Sequence, residues 1–207
     1  MTLLPSTEEV DARLAELRAR EADGTLELIG SSEEGPVVIV PPDPAWPARF
    51  AQVRSQIADT LGPVALRIDH VGSTAVAGLA AKPIIDVQIS VADLEYEAGY
   101  APGLASLGWP IRLRETQQRF FREPAGIPRS THVHVCPTGS TWERRHLLFR
   151  DFLRAHPERA RAYGELKRAL AAHYRGVRVI YTEAKGPFID ETTALAETWA
   201  AATGWRP

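Results

Sequence analysis

The stretch "IDHVGSTAVAGLAAKPIIDVQISV", residues 68–91, decides the fold: an apolar strand breaks into small residues and returns as a second strand carrying one carboxylate. Gly72 and Gly78 interrupt the regularity. The returning strand then alternates, Ile85, Val87, Ile89 and Val91 facing one way and Asp86, Gln88 and Ser90 the other. A polar row on one face of a strand inside an apolar domain either meets solvent or lines a site. Gly72-Ser73-Thr74, between a strand and a short helix, presents backbone N–H groups and a hydroxyl where an anion is favoured. An N-capped turn is the plainer alternative.

Outward from this stretch, Trp46, Phe50, Val53, Ile57 and Leu61 recur at helical spacing, and Leu61-Gly62-Pro63 stops that helix before the strand "VALRID" (64–69). "VVIV" (37–40) predicts a strand halted by "PPDP". Ser6 and Glu9 have capping-box spacing ahead of Val10, Leu14 and Leu17, which predicts a peripheral first helix over residues 6–22. "SSEEGP" (31–36) reads as a turn or linker, dividing the chain near Gly35 into an N-terminal helix with linker (1–35) and a main domain (36–207). Downstream, "LASLGW" (104–109) ends a helix, and "IRLRE" (111–115), "QQRFFREP" (117–124) and "THVHVC" (131–136) predict three strands. His132, His134 and Cys136 share one face of the last, opposite Val133 and Val135. The rest is helical: one helix carries Leu147, Leu148, Phe149, Phe152 and Leu153, a second starts at Pro157, and a third carries Ile189, Leu195 and Trp199. The expected class is α+β, a mixed sheet with helices mostly on one side.

The 207 residues, 44% hydrophobic and 24% charged, suit one domain with a sizeable core. A formal net charge of -2 offers no general attraction to nucleic acid or to a membrane surface, so phosphate chemistry must come from a local cluster. Cys136 is the only cysteine, which rules out an intrachain disulfide and a cysteine zinc site and suits a reducing compartment. No stretch approaches the roughly 18 apolar residues of a membrane span. A soluble, cytoplasmic protein is expected.

The turn, the lysine after it and the carboxylate match what nucleotidyl transfer requires. A triphosphate needs donors around its terminal phosphates, supplied by Gly72, Ser73 and Thr74, a cation such as Lys82, and carboxylates holding Mg²⁺. Carboxylates two apart share a strand face, but here the pair is Asp86 and Gln88, an acid and a neutral amide. Arg119 and Arg122, on opposite faces of one strand, are candidates to meet an anionic ligand. Arg144, Arg145, Arg150 and Arg154 read as a solvated helix face, with Arg150 able to close over the site.

"VIVPPDPAWPARF" (38–50), "DHVGSTAVAGLAAKPIIDVQISV" (69–91), "HVHV" (132–135), "HLLFRDFLRAHPERARAYGELK" (146–167) and "YTEAKGPFI" (181–189) together resemble the GrpB family, a group within the nucleotidyltransferase superfamily. The resemblance covers about residues 37–200. It implies a minimal nucleotidyltransferase fold, a mixed sheet flanked by helices; the extra N-terminal helix, residues 6–22, lies outside the resemblance and is an addition to that fold, and the helical C-terminal part is read from its own residues. Carried over by position, phosphate contacts fall on Gly72 and Ser73 and the first metal carboxylate on Asp86. The second falls on Gln88, and the nearest counterpart of a third is His132 or His134.

Mg²⁺ or Mn²⁺ is the implied cofactor, and Zn²⁺ if the histidines ligate; His134 could instead serve as a base without tightly held metal. Both histidines could equally be hydrogen-bonded groups on a half-buried strand. The chain has only three lysines, Lys82, Lys167 and Lys185, and Lys82 and Lys185 lie within matched segments, where a compact ammonium suits a crowded phosphate contact.

Two functions follow. One is a protein that binds a nucleoside triphosphate and transfers a nucleotidyl group to an acceptor. The other is a degenerate module that binds a nucleotide or another anionic metabolite without chemistry, favoured by Gln88. The family's fusion to dephospho-coenzyme A kinases points to coenzyme A metabolism as a setting. Nucleotide, acceptor, metal and oligomeric state stay open.

Overall fold

In the computed structural model, which describes residues 4–30, 36–174 and 176–207, the strand pair of residues 68–91 sits at one edge of a larger sheet. The described strands are β1 (Leu26–Leu28), β2 (Arg67–Val71), β3 (Ile85–Val91), β4 (Ile111–Glu115), β5 (Gln118–Arg122) and β6 (Thr131–Pro137). They form one sheet in the order β1-β4-β5-β6-β3-β2. β3 and β6 run parallel and every other neighbouring pair is antiparallel. The described α-helices are α1 (Thr7–Ala22), α2 (Trp46–Leu61), α3 (Ala101–Ser106), α4 (Thr141–Ala155), α5 (Pro157–His173), α6 (Arg178–Glu183) and α7 (Gly186–Thr203).

The alternation along β3 sets the layers. Val87 and Ile89 are fully buried with Val133, Val135 and Phe121, under Trp46, Ile57 and Leu61 of α2 and Leu104 of α3. On the opposite face α4 lies over the distal part of the strand: Gln88 and Ser90 are both 0% exposed. Gln88 donates from Nε2 to the Glu143 carbonyl at 3.5 Å, and Ser90 donates from its hydroxyl to the Glu143 carboxylate. Helices therefore cover both faces, not mostly one. A buried polar row calls for hydrogen bonds, and α4, capped by Ser140 and with Glu143 in its first turn, supplies partners for Gln88 Nε2 and Ser90, while Gln88 Oε1 is left without one among the described residues.

The N-terminal segment is more integrated than a peripheral helix. Ser6 and Glu9 form the predicted capping box, with the Glu9 N–H reaching Ser6 Oγ at 3.2 Å and the Ser6 N–H reaching Glu9 Oε2 at 2.8 Å. Val10 packs into an apolar cluster with Leu166 and Tyr181, and β1 pairs with β4. The predicted linker and its boundary at Gly35 lie, apart from Pro36, outside the described residues. "VVIV" is not a strand: Val40 alone forms a bridge, with Ala81. Pro41 and Pro42 lack the N–H groups a ladder needs, so pairing stops there. Among the described residues no helix is long and apolar enough to cross a membrane.

Candidate functional site

Asp86 comes before the part of β3 that α4 covers, and there the polar face opens into a cavity of about 450 Å³. Gly72 lies against it. The backbone at Gly72 has φ 67°, and a Cβ placed there would collide with the Asp86 carboxylate, coming within 2.9 Å of its Cγ. Glycine is needed twice over, for the left-handed turn and for the close approach. Two arginines of α4 clamp the turn from behind: Arg150 donates to the His70 carbonyl at 3.1 Å and Arg154 to the Ala75 carbonyl at 2.9 Å. Arg154 stays exposed as expected of a solvated face, whereas Arg150 is largely buried, and the two bonds flank the Gly72-Ser73 turn.

All three lysines of the chain line this one cavity, Lys82 from the approach to β3, Lys167 from α5 and Lys185 from the start of α7. Lys167 donates to Ser73 Oγ at 2.8 Å and lies 4.5 Å from the Tyr163 ring centroid. Lys185 and Lys82 lie 5.0 and 5.8 Å from the ring of Tyr181. Burial, reinforced by the neighbouring Lys185, pulls Lys167 down to about 6. Burial and Lys82 pull Lys185 down to about 7. Lys82 is lowered as well, burial and nearby arginines outweighing the attraction of Asp86. Burial opposes ionisation of Asp86, but its hydrogen bond to His132 and the positive groups around it prevail and hold it at about 2. The site gathers three buried lysines, all held below the usual lysine range, around one ionised carboxylate.

The histidines have specific partners. His132 Nδ1 lies 3.1 Å from Asp86 Oδ1, and since an ionised carboxylate only accepts, Nδ1 carries the proton. His134 Nδ1 donates to Gln118 Oε1 at 2.9 Å, and its ring packs between Phe120 and Trp142. Burial lowers His134 to about 3. A group that weakly basic accepts a proton poorly at neutral pH, which weakens its reading as a general base.

The donor set does not fit a divalent metal. Asp86 is the one carboxylate among the described lining residues, and lysines surround it. Gln88, the predicted second ligand, is sealed beneath α4. His132 meets Asp86, but His134 is engaged by Gln118, and among the described residues no group of three His, Cys, Asp or Glu side chains could hold an ion.

Other predicted contacts divide. Gly72, Ser73, Lys82, Asp86, His132, His134 and Lys185 all line the cavity. Thr74 does not: its buried hydroxyl donates to the Ile84 carbonyl at 3.1 Å and accepts from His70 Nε2 at 3.0 Å. Arg119 does not either, being held on the opposite face by Glu95 and Glu97, each at 2.7 Å. Strand parity explains it, because Phe120 and Arg122 pair with His134 and His132 and so share their face. Sequence reasoning left Lys167 without a role and passed over His146 and Tyr181, which also line the cavity. A lysine four residues after Tyr163, beside Leu166 and Leu170, was the available signal.

Residues 36–195 match the GrpB protein family. A UPF0157 protein of Streptomyces coelicolor is 37% identical, the match covering 83% of this chain and 90% of that protein. A dephospho-CoA kinase of Mycolicibacterium paratuberculosis is 33% identical, the match covering 83% of this chain but 49% of that protein, so this chain spans about half its length. The crystal structure of conserved protein GrpB from Enterococcus faecalis superposes with a TM-score of 0.70 at 30% identity, covering 78% of this chain and 99% of that one. The chain belongs to the GrpB protein family.

Proposed function

We propose that the cavity binds the phosphate groups of a nucleotide without requiring a divalent ion. The observation that carries this reading is the convergence of every lysine in the chain, from three separate segments, around Ser73 and the Gly72 turn. Burial and mutual repulsion disfavour the ammonium forms in the empty cavity, and an anion restores them by pairing with them. Ser73 and Lys167 would contact one phosphate, with Lys82 and Lys185 neutralising the rest. The rings of Tyr181 and Phe120 offer apolar surface to the remainder of the ligand.

Calorimetric titration with the four ribonucleoside triphosphates and dephospho-CoA, in chelator and in Mg²⁺, tests the proposal. The last ligand is included because relatives carry the name dephospho-CoA kinase. Binding of at least one ligand in chelator, weakened at least tenfold by Lys167→Met and retained in Asp86→Asn, is the expected result. Binding that needs metal and disappears in Asp86→Asn would overturn it.

A second reading, nucleotidyl transfer in the same cavity, is favoured by the seating of the Gly72-Ser73 turn directly against Asp86. Labelled product or pyrophosphate from an α-labelled triphosphate would support that reading. Ligand binding with neither product leaves the binding module.

A further inference from the structure

We infer that the ligand is amphipathic: its phosphate lies among the lysines, and an apolar group extends into a second chamber walled by the N-terminal segment. This rests on the phosphate-binding reading above and adds the chemical class of the rest of the molecule. The second chamber has a volume of about 310 Å³ and adjoins the first, with which it shares lining residues. Leu113 and Phe120 form a floor common to both, and Arg122, Arg129, Arg178 and Thr182 also border both.

Beyond that shared zone the wall is mostly aliphatic, with Leu17 from α1, Leu28 at the end of β1, Ile29 just after it and Val179 from α6, interrupted by Arg112 and Glu183. Leu28 is 49% exposed and Val179 41% exposed, two large apolar side chains facing outward at the same opening. Exposed apolar groups gathered beside a charged cavity mark a place for an apolar group to be buried. The positive charge around the first cavity fixes the polarity of the occupant. A neutral hydrocarbon has nothing to match the lysines, and a bare phosphate leaves the aliphatic wall uncovered. Leu17, Leu28 and Ile29 precede residues 36–195, so most of the aliphatic part of this wall comes from outside the family match, with Val179 from within it.

The experiment compares methyl phosphate with n-hexyl phosphate by calorimetry, with n-hexanol as the uncharged control. Each methylene buried is worth about fourfold in affinity. We expect hexyl phosphate to bind at least about tenfold more tightly than methyl phosphate, and hexanol to show no measurable binding. Leu28→Gln and Val179→Thr, on separate elements and neutral in charge, should each reduce that ratio to about threefold or less. Circular dichroism and the urea midpoint show that each variant is folded.

Equal affinities for the two esters in the unmodified protein would overturn the inference, as would a ratio unchanged in both folded variants. Binding of hexanol alone would also overturn it. If nucleotides and methyl phosphate bind but the tail adds nothing, the amphipathic ligand fails and phosphate binding stands. If no phosphate compound binds, both fail.

Discussion

The two faces of β3 present opposite chemistry over the same seven residues. Toward α2 and α3, Val87 and Ile89 are fully buried among aliphatic and aromatic groups and contribute stability by leaving water. Toward the cavity, Asp86 stands among three lysines and three histidines, and burying lysines whose ammonium forms are disfavoured there opposes folding. One face holds the structure together and the other is held in place by it. Concentrating the unfavourable electrostatics at the cavity is what a binding site requires, because a ligand can relieve them only where they have been gathered.

The contrast can be broken most strongly on the apolar side. Ile89→Ala leaves a cavity under α2 and should lower stability by about 2–5 kcal/mol, read from the urea midpoint with an unchanged slope. A loss under about 1 kcal/mol would mean that this face is not the dominant core.

Gly72→Ala tests the meeting of turn and carboxylate. With φ 67° and the Asp86 side chain in the path of the new methyl group, it should cost about 1–3 kcal/mol. It should also weaken nucleotide binding more than the stability loss alone explains. Adding Asp86→Ala should recover part of the stability, since one of the two causes is then removed, and strictly additive losses would contradict the close approach.

A smaller effect concerns pH. In the unfolded chain Lys167 and Lys185 keep their protons up to about 10.5, whereas in the folded protein they release them near 6 and 7. Between those limits the unfolded state binds more protons than the folded one, so stability rises with pH across pH 7–9. Urea midpoints over that range measure it. Saturating nucleotide should flatten the rise, because bound phosphate restores the protons, and a profile unaffected by ligand would separate the lysines from the binding event.

Lys167→Met sharpens the same point at a single pH. Replacing a buried lysine, which must give up its proton on folding at pH 7, by an apolar chain of similar length should raise stability by about 1 kcal/mol at pH 7 while weakening phosphate binding at least tenfold. Thermal denaturation with and without nucleotide reads both. A destabilised variant would show that the Ser73 hydrogen bond outweighs the burial of charge.

Much of this was legible in the residues. The alternation of Ile85, Asp86, Val87 and Gln88 identified a strand with two faces, and the Gly72-Ser73 turn, Lys82 and Asp86 singled out residues that line one cavity. The capping box at Ser6 and the stop at Gly62 fixed helix ends, with the Gly62 N–H donating to the Ala58 carbonyl. Local backbone preference and side-chain period determine all of these, and both act within a few residues.

Tertiary structure decided the rest. Asp86 and Gln88 have the same parity, and only the docking of α4 leaves one in the cavity and seals the other. Arg122 rather than Arg119 faces the site because β5 pairs with β6 in one register, and a shift by one residue would exchange them. β1 is too short to show a pattern and exists through its pairing with β4. Lys167 lies 94 residues from Ser73 along the chain and 2.8 Å away in space. Such juxtapositions depend on how whole elements pack, so the sequence determined where the site begins, while the fold determined which charges fill it and which wall completes it.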